Sequence, residues 1–280
     1  MEHITSNQSV GQTAYWTASV RARENEREDS LLRDPWAATL AGPDGMAWIA
    51  ARPPESVAPI IIRTRYFDDF MQRIVREEGV SQVVLLAAGL DTRAFRLNWP
   101  PGTAVFELDQ APILAYKEQI LQTAGAQSAC TRHVIGVDLS QPWAETLLAH
   151  GFEPQRPALW LLEGFLFYLP NETITQLLDS VTALAAPGSW LGFDIMNSLT
   201  LTSPLTQKWV EMQARSGAPW LGTMDDPTAF LGPRGWQVSL TQAGAADAHY
   251  GRWTLPVVPA TMPNMPHNWF VTAVYTPGTK

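Results

Sequence analysis

The chain has 280 residues, of which 46% are hydrophobic and 16% charged, so it can form a large core and is too apolar for a disordered segment. Its net charge of −8 argues against a nucleic-acid partner, because neutralising phosphates needs clustered positive charge. No apolar run reaches the length of about 18 residues that a spanning helix needs, so no membrane partner is expected.

The amino terminus, residues 1–10, lacks the pattern of a signal peptide, which favours a cytoplasmic location. Cys130 is the single cysteine, and the 5 histidines are scattered, so neither a disulfide nor a metal site is predicted.

The first 80 residues have helical patterns. Residues 17–28 form a charged helix, Asp34-Pro35 places proline at the favoured first position of a second one, and residues 57–78 form a third, interrupted near its start by Pro59. These residues are too few and too charged for a domain of their own. We therefore interpret residues 1–80 as a helical lid over the carboxyl edge of the sheet that follows.

Five apolar runs then alternate with helical segments. Asn171 is a plausible N-cap of the last of these helices. Strands that alternate with helices of this length indicate right-handed crossovers and a doubly wound, parallel α/β sheet. The five predicted strands comprise residues 83–89, 104–109, 133–139, 159–164 and 190–196, and the helices between them residues 113–121, 143–150 and 174–185.

The pattern changes after the fifth strand. Residues 205–215 are helical and a stretch rich in glycine and proline follows, which together indicate a cap insertion over residues 197–235. Residues 236–241 and 269–275 favour an antiparallel strand pair. A single domain over residues 1–280 is predicted: the lid, a cofactor-binding sheet over residues 81–196, the cap, and the strand pair within residues 236–280.

Ligands of such sheets bind outside the carboxyl ends of the strands. Four successive strands end there in a glycine turn or a carboxylate, at Gly89, Asp109, Asp138 and Glu163. Taken singly, Asp109 and Asp138 could each equally cap the next helix. The four together favour a ligand site.

The spacing of Gly89 and Asp109, 109 − 89 = 20 residues, is typical of a carboxylate that accepts the ribose hydroxyls of an adenosine. The turn lacks the repeated glycines that bind a dinucleotide pyrophosphate. A nucleoside without phosphates fits better, and S-adenosylmethionine meets that description.

Several motifs, in order, resemble the leucine carboxyl methyltransferase family and its bacterial S-adenosylmethionine-dependent branch. They imply a seven-stranded, Rossmann-like methyltransferase fold and S-adenosylmethionine as the cofactor. The motifs are RTRYFDD (residues 63–69), VVLLAAGLDTRAFRL (83–97), FELD (106–109), VDL (137–139) and EGFLFYLP (163–170).

The resemblance also assigns roles at the methionyl end of the cofactor. Gly89 would let the methionyl part approach the backbone, Glu163 would face its ammonium, and Arg63 would face its carboxylate. A one-register shift would exchange Arg63 for Arg65. Arg21 is a further candidate for that carboxylate or for a substrate anion, with an exposed helix arginine paired with Glu24 or Asn25 as the alternative.

At the adenosine end, the resemblance places Asp109 on the ribose. Asp138 would accept a hydrogen bond from the adenine amino group, and Leu139 would pack on the ring or donate its amide.

The favoured function is an O-methyltransferase that acts on a small-molecule carboxylate or hydroxyl in specialised, polyketide-like metabolism. A carboxylate acceptor needs no base, whereas a hydroxyl would need one, for which His249, His133 and Tyr168 are available. No catalytic residue is assigned. The alternatives are a nicotinamide-dependent oxidoreductase and a non-catalytic adenosine-binding module.

Tryptophan is abundant, with 12 residues. Half of them belong to segments expected to cover the carboxyl edge, where their rings could line an aromatic acceptor cavity or simply pack the lid. These six are Trp16, Trp36, Trp48, Trp209, Trp220 and Trp253.

Overall fold

The computed structural model describes residues 6–278, and its centre is a seven-stranded sheet in the order β3-β2-β1-β4-β5-β7-β6. Strands β1 to β5 are parallel, and β7 runs antiparallel to both β5 and β6. This confirms the doubly wound α/β class and the terminal antiparallel pair. The strands are β1 (Gln82–Leu86), β2 (Ala104–Asp109), β3 (Thr131–Gly136), β4 (Ala158–Leu162), β5 (Trp190–Met196), β6 (Trp236–Gln242) and β7 (Asn268–Tyr275).

Helices precede the sheet and alternate with its strands. The longest, the first and third, have 20 residues each. The helices are α1 (Ser6–Asn25), α2 (Ala37–Ala50), α3 (Ala58–Glu77), α4 (Arg93–Arg96), α5 (Ala111–Thr123), α6 (Ala144–Ala149), α7 (Asn171–Leu184), α8 (Leu199–Thr202), α9 (Gln207–Arg215) and α10 (Pro227–Leu231).

Three local expectations need correction. Asp34-Pro35 does not begin a helix: α2 starts at Ala37, and the Asp34 carboxylate accepts the Trp36 amide at 3.2 Å. Pro59 does not interrupt α3 but occupies its first turn, where its missing N–H costs no hydrogen bond.

The third concerns Asn171, which is the first residue of α7 and does not cap it. Its side-chain oxygen instead accepts the Thr223 amide at 2.9 Å, which attaches the segment before α10 to this helix.

The core lies on both faces of the sheet, because successive strand residues point to opposite sides. On one face, Val84 and Trp160 pack with apolar residues of α7. On the other, Val83 and Leu159 pack with Phe67 and the rest of the apolar stripe of α3. All five residues of β1 are buried, as expected for a strand covered on both sides.

Helices α1 and α2 pack on each other and on the turn after β1, through a small cluster that contains Ala18, Leu40 and Leu90. This contact brings α1 to the carboxyl edge of the sheet. Division of the chain into lid, sheet, cap and strand pair stays a prediction. Within residues 6–278, no helix has the length and apolar character needed to cross a bilayer.

Candidate active site

A cavity of about 160 Å³ opens at the carboxyl ends of β1, β2 and β4 and is covered by residues of α1. It brings together four of the predicted site residues: Arg63, Gly89, Asp109 and Glu163. Its charged lining consists of four arginines and three carboxylates, which are Arg21, Arg63, Arg93, Arg96, Asp91, Asp109 and Glu163.

Gly89 and Asp109 are in direct contact. The Asp109 carboxylate accepts the Gly89 amide at 2.6 Å and the Gln110 amide at 2.7 Å, neither of which is the second or third helical amide that a cap would accept. Asp109 is therefore not a helix cap. Burial raises its pKa, although these two amides act in the opposite direction. Gly89 has φ of +44°, and a Cβ there would lie 3.2 Å from the Ala14 methyl of α1.

Glu163 follows β4 and binds two arginines. One of its oxygens accepts Arg63 Nε and the Thr64 hydroxyl, both at 3.0 Å, and the other accepts Arg93 Nη2 at 2.6 Å. Burial raises the pKa of Glu163, but Arg93 and Arg63 outweigh it, and the net shift is downward. Glu163 is therefore an anion at neutral pH.

Arg63 projects from α3 and is held on two sides. Besides its contact with Glu163, its Nη1 donates to Asp194 at 3.0 Å. The same Asp194 accepts the Gly164 amide at 2.6 Å. Gly164 has φ of +68°, and a Cβ there would lie 2.7 Å from Arg63 Nη2, so the guanidinium lies directly against its Cα.

Asp194 was missed by the sequence reasoning, since it lies within β5 and does not follow it. The sequence signal was an acid inside an apolar run. Such an acid becomes buried, as Asp194 is, and a buried acid requires a partner.

Arg93, in the short helix α4, is the second residue that was missed. It donates to Asp68 at 2.7 Å and to Asp91, in addition to Glu163. Asp68 also forms an ion pair with Arg96. The sequence analysis assigns a role to Gly89 of the GLDTRAFR segment but none to its arginines.

Asp138 and Leu139 lie outside the cavity lining. The exposed Asp138 carboxylate accepts the Ser140 amide at 2.9 Å and the Ser140 hydroxyl at 2.7 Å, and the half-buried Leu139 packs on the core. Their contacts with adenine stay predictions.

Arg21 and Arg65 lie in different surroundings. Arg21 is not an exposed helix arginine paired with Glu24 or Asn25: it is buried, donates to Asp34 at 2.8 Å and to the Leu90 carbonyl at 2.7 Å, and lines the cavity. Arg65 does not line it and pairs with Asp69, with 38% of its side chain exposed.

The residues considered as bases lie elsewhere. His249 is exposed and accepts the Gly251 amide at 3.0 Å, and His133 stacks on Phe106. Tyr168 accepts a hydrogen bond from the Gln213 amide, and its pKa is raised by burial. None of the three lines the cavity.

The lining of this cavity contains none of the six tryptophan rings, and their contact with an acceptor stays a prediction. Trp16 and Trp48 stack on each other at 5.2 Å, and Trp220 packs edge-on against Phe167. All three pack against other aromatic rings.

A family model described as leucine carboxyl methyltransferase matches residues 14–182. The chain belongs to this family. A protein of Mycolicibacterium gilvum, named "Putative S-adenosyl-L-methionine-dependent methyltransferase", is 37% identical over 85% of this chain and 86% of its own length. One from Parafrankia sp. with the same designation is 38% identical over 97% and 89%.

Solved structures share the fold. A DUF574 family protein from Streptomyces avermitilis aligns with a TM-score of 0.59 at 14% identity, covering 91% of this chain and 95% of its own. Magnesium protoporphyrin IX methyltransferase from Synechocystis, solved with bound SAH, aligns at 0.50 and 15% identity, covering 78% and 86%. The protein is an S-adenosylmethionine-dependent methyltransferase, and the oxidoreductase alternative is set aside.

Proposed function

We propose that this methyltransferase acts on oxygen and forms a methyl ester on the carboxylate of a small organic acid. The observation that carries the proposal is the chemistry of the cavity. Among the described residues that line it there is no His, Cys, Lys or Tyr. A hydroxyl acceptor would need such a base, whereas a carboxylate is already ionised at neutral pH.

The three lining carboxylates are poor substitutes for that base. Asp91 and Glu163 are paired with arginines, and Asp109 is engaged by two backbone amides. Transfer to a carboxylate forms one oxygen–carbon bond, breaks one sulfur–carbon bond and moves no proton. The matched family's description also names a carboxyl acceptor, which is the same chemistry.

The lining residues fit S-adenosylmethionine. Asp109 retains acceptor capacity for the ribose hydroxyls, because each of its oxygens binds one amide. Arg63 uses Nε and Nη1 in the protein, and no bond of its Nη2 is found within residues 6–278, which leaves that nitrogen for the methionyl carboxylate. Glu163 supplies negative charge for the ammonium.

The bound cofactor supplies a methyl group already activated on a sulfonium. The chain therefore has to bind the cofactor and the acceptor, orient the acceptor oxygen toward the methyl group and exclude water. Correct alignment of these atoms supplies much of the rate. Residues of α1, α3 and three strand ends line the cavity, and we infer that a small acceptor reaches the methyl group at this cleft more readily than an extended chain does. None of the six tryptophans lines the cavity, so the proposal names a small organic acid and not an aromatic, polyketide-like acceptor.

The experiment uses the full chain with methyl-tritiated S-adenosylmethionine and three acceptor sets: small carboxylic acids, the matching alcohols and phenols, and peptides ending in a free or amidated leucine. Methyl esters release labelled methanol in alkali, and methyl ethers do not. Alkali-labile label on a small acid is the expected result. Alkali-stable label overturns ester formation, and label confined to the free leucine peptide overturns the small acceptor.

A further inference from the structure

Asp194 is a fully buried carboxylate that the proposed cofactor contacts leave without a role. It lies in the carboxyl half of β5 and is 0% exposed, and it is not among the residues that line the cavity. Its two oxygens bind Arg63 Nη1 and the Gly164 amide. It therefore connects α3, β5 and the turn after β4.

Arg63 is confined by these contacts. Glu163 binds Nε, Asp194 binds Nη1, and the Cα of Gly164 lies directly against the guanidinium. A free arginine side chain loses about 2 kcal/mol of rotamer entropy when it is fixed. A guanidinium that is already fixed by protein contacts does not lose this entropy again when a ligand binds.

The contact with Asp194 differs from the contact with Glu163. Glu163 lines the cavity and can meet the ligand itself, whereas Asp194 lies behind Arg63 and can act on a ligand only through it. Burial raises the pKa of Asp194, and the Arg63 charge opposes this rise.

We propose that Asp194 is a positioning residue that holds Arg63 ready for the methionyl carboxylate of the cofactor and contributes to binding only through Arg63. The inference rests on the proposed contact between Arg63 and that carboxylate.

The test compares two ligands that differ in the part that Arg63 would bind. S-adenosylhomocysteine carries the amino acid group, and 5′-methylthioadenosine has the same adenosine thioether without it. Calorimetry gives the affinity of both for the wild type, Asp194→Asn, Arg63→Gln and the double variant. We expect Asp194→Asn to lower the affinity for S-adenosylhomocysteine about tenfold and to change the affinity for 5′-methylthioadenosine by no more than about twofold.

Arg63→Gln should show the same selective loss, and adding Asp194→Asn to it should cause no further loss. Asp179→Asn is the matched control, because Asp179 pairs with Arg234 on the surface and should leave both ligands unaffected. If Asp194→Asn does not fold, Asp194→Glu keeps the charge but displaces the carboxylate, and the same selective loss is expected.

Three results would overturn the proposal. A folded Asp194 variant could lose affinity equally for both ligands, or keep its affinity for S-adenosylhomocysteine unchanged. Asp194→Asn could also lower that affinity further in the Arg63→Gln background. A different result would overturn the proposed contact between Arg63 and the methionyl carboxylate. In that case Arg63→Gln itself would leave the ratio of the two affinities unchanged.

Discussion

Gly164 offers a test of how closely Arg63 is held, through the change Gly164→Ala. Two effects add in this variant. The residue has φ of +68°, and a left-handed conformation costs an L-residue about 1 to 2 kcal/mol. The new Cβ would also lie 2.7 Å from Arg63 Nη2 and 3.0 Å from its Cζ, so the guanidinium must move.

That movement is costly because the guanidinium is bound on two sides. Loss of either its contact with Glu163 or its contact with Asp194 removes a charge-assisted hydrogen bond of about 1.5 to 3 kcal/mol. We therefore expect Gly164→Ala to lower the free energy of unfolding by about 2.5 to 5 kcal/mol. The variant should also lower the affinity for S-adenosylhomocysteine more than the affinity for 5′-methylthioadenosine.

The matched control is Gly79→Ala. Gly79 has nearly the same φ, +67°, but a Cβ there meets no atom within 4 Å, so the variant has the backbone strain without the collision. Urea unfolding gives both stabilities and calorimetry both affinities. If Gly164→Ala matches Gly79→Ala in stability and in the ratio of the two affinities, Arg63 is free to move and the reasoning is refuted.

Three further predictions concern the acidic residues of the strand ends. Asp109→Ala should stay folded and weaken both adenosine ligands by about tenfold or more, because each charge-assisted bond to the ribose is worth about 1.5 to 3 kcal/mol; unchanged affinity by calorimetry would exclude a ribose contact. Asp138→Asn should reduce the preference for adenosine over inosine analogues in the same assay, and an unaltered preference would remove Asp138 from the adenine site. Burial raises the pKa of Asp91, but Arg93 and Arg96 outweigh this and lower it to about 2, so its stabilising contribution is present above the unfolded pKa of about 4 and is lost as the pH falls towards 2. The stability gap between wild type and Asp91→Asn should therefore narrow over that range, and a constant gap would show that the ion pair stabilises nothing.

The strands could be predicted because their signal is local. Continuous apolar runs indicate β1 to β5, and the predicted bounds of β2 and β5 coincide with those of the structure; Pro187-Gly188 separates β5 from the preceding helix. Helix starts were less certain, since α1 begins at Ser6 in a polar stretch without an apolar stripe. The contact between Gly89 and Asp109 was predictable for another reason: it joins neighbouring strands at the edge where their carboxyl ends meet.

The partners of the arginines could not be predicted in this way, because a long side chain can reach several acids and only the packing decides which one. Arg63 and Arg65 have different partners, Glu163 and Asp69, because the packing of α3 on the sheet directs them to different sides. Arg93 binds acids from three different segments. The resulting network alternates the two signs of charge over Arg63, Arg93, Arg96, Asp68, Asp91, Glu163 and Asp194.

This alternation has a consequence for binding. A buried charge without a partner is strongly destabilising, so each arginine and each acid here needs its neighbours when no ligand is bound. The amino acid end of the cofactor carries one charge of each sign. In the proposed binding mode, it adds an anion beside Arg63 and a cation beside Glu163 without breaking the contacts that hold either side chain, because both retain hydrogen-bonding capacity. We therefore expect this network to bind a zwitterion with little rearrangement and a ligand of a single charge less well.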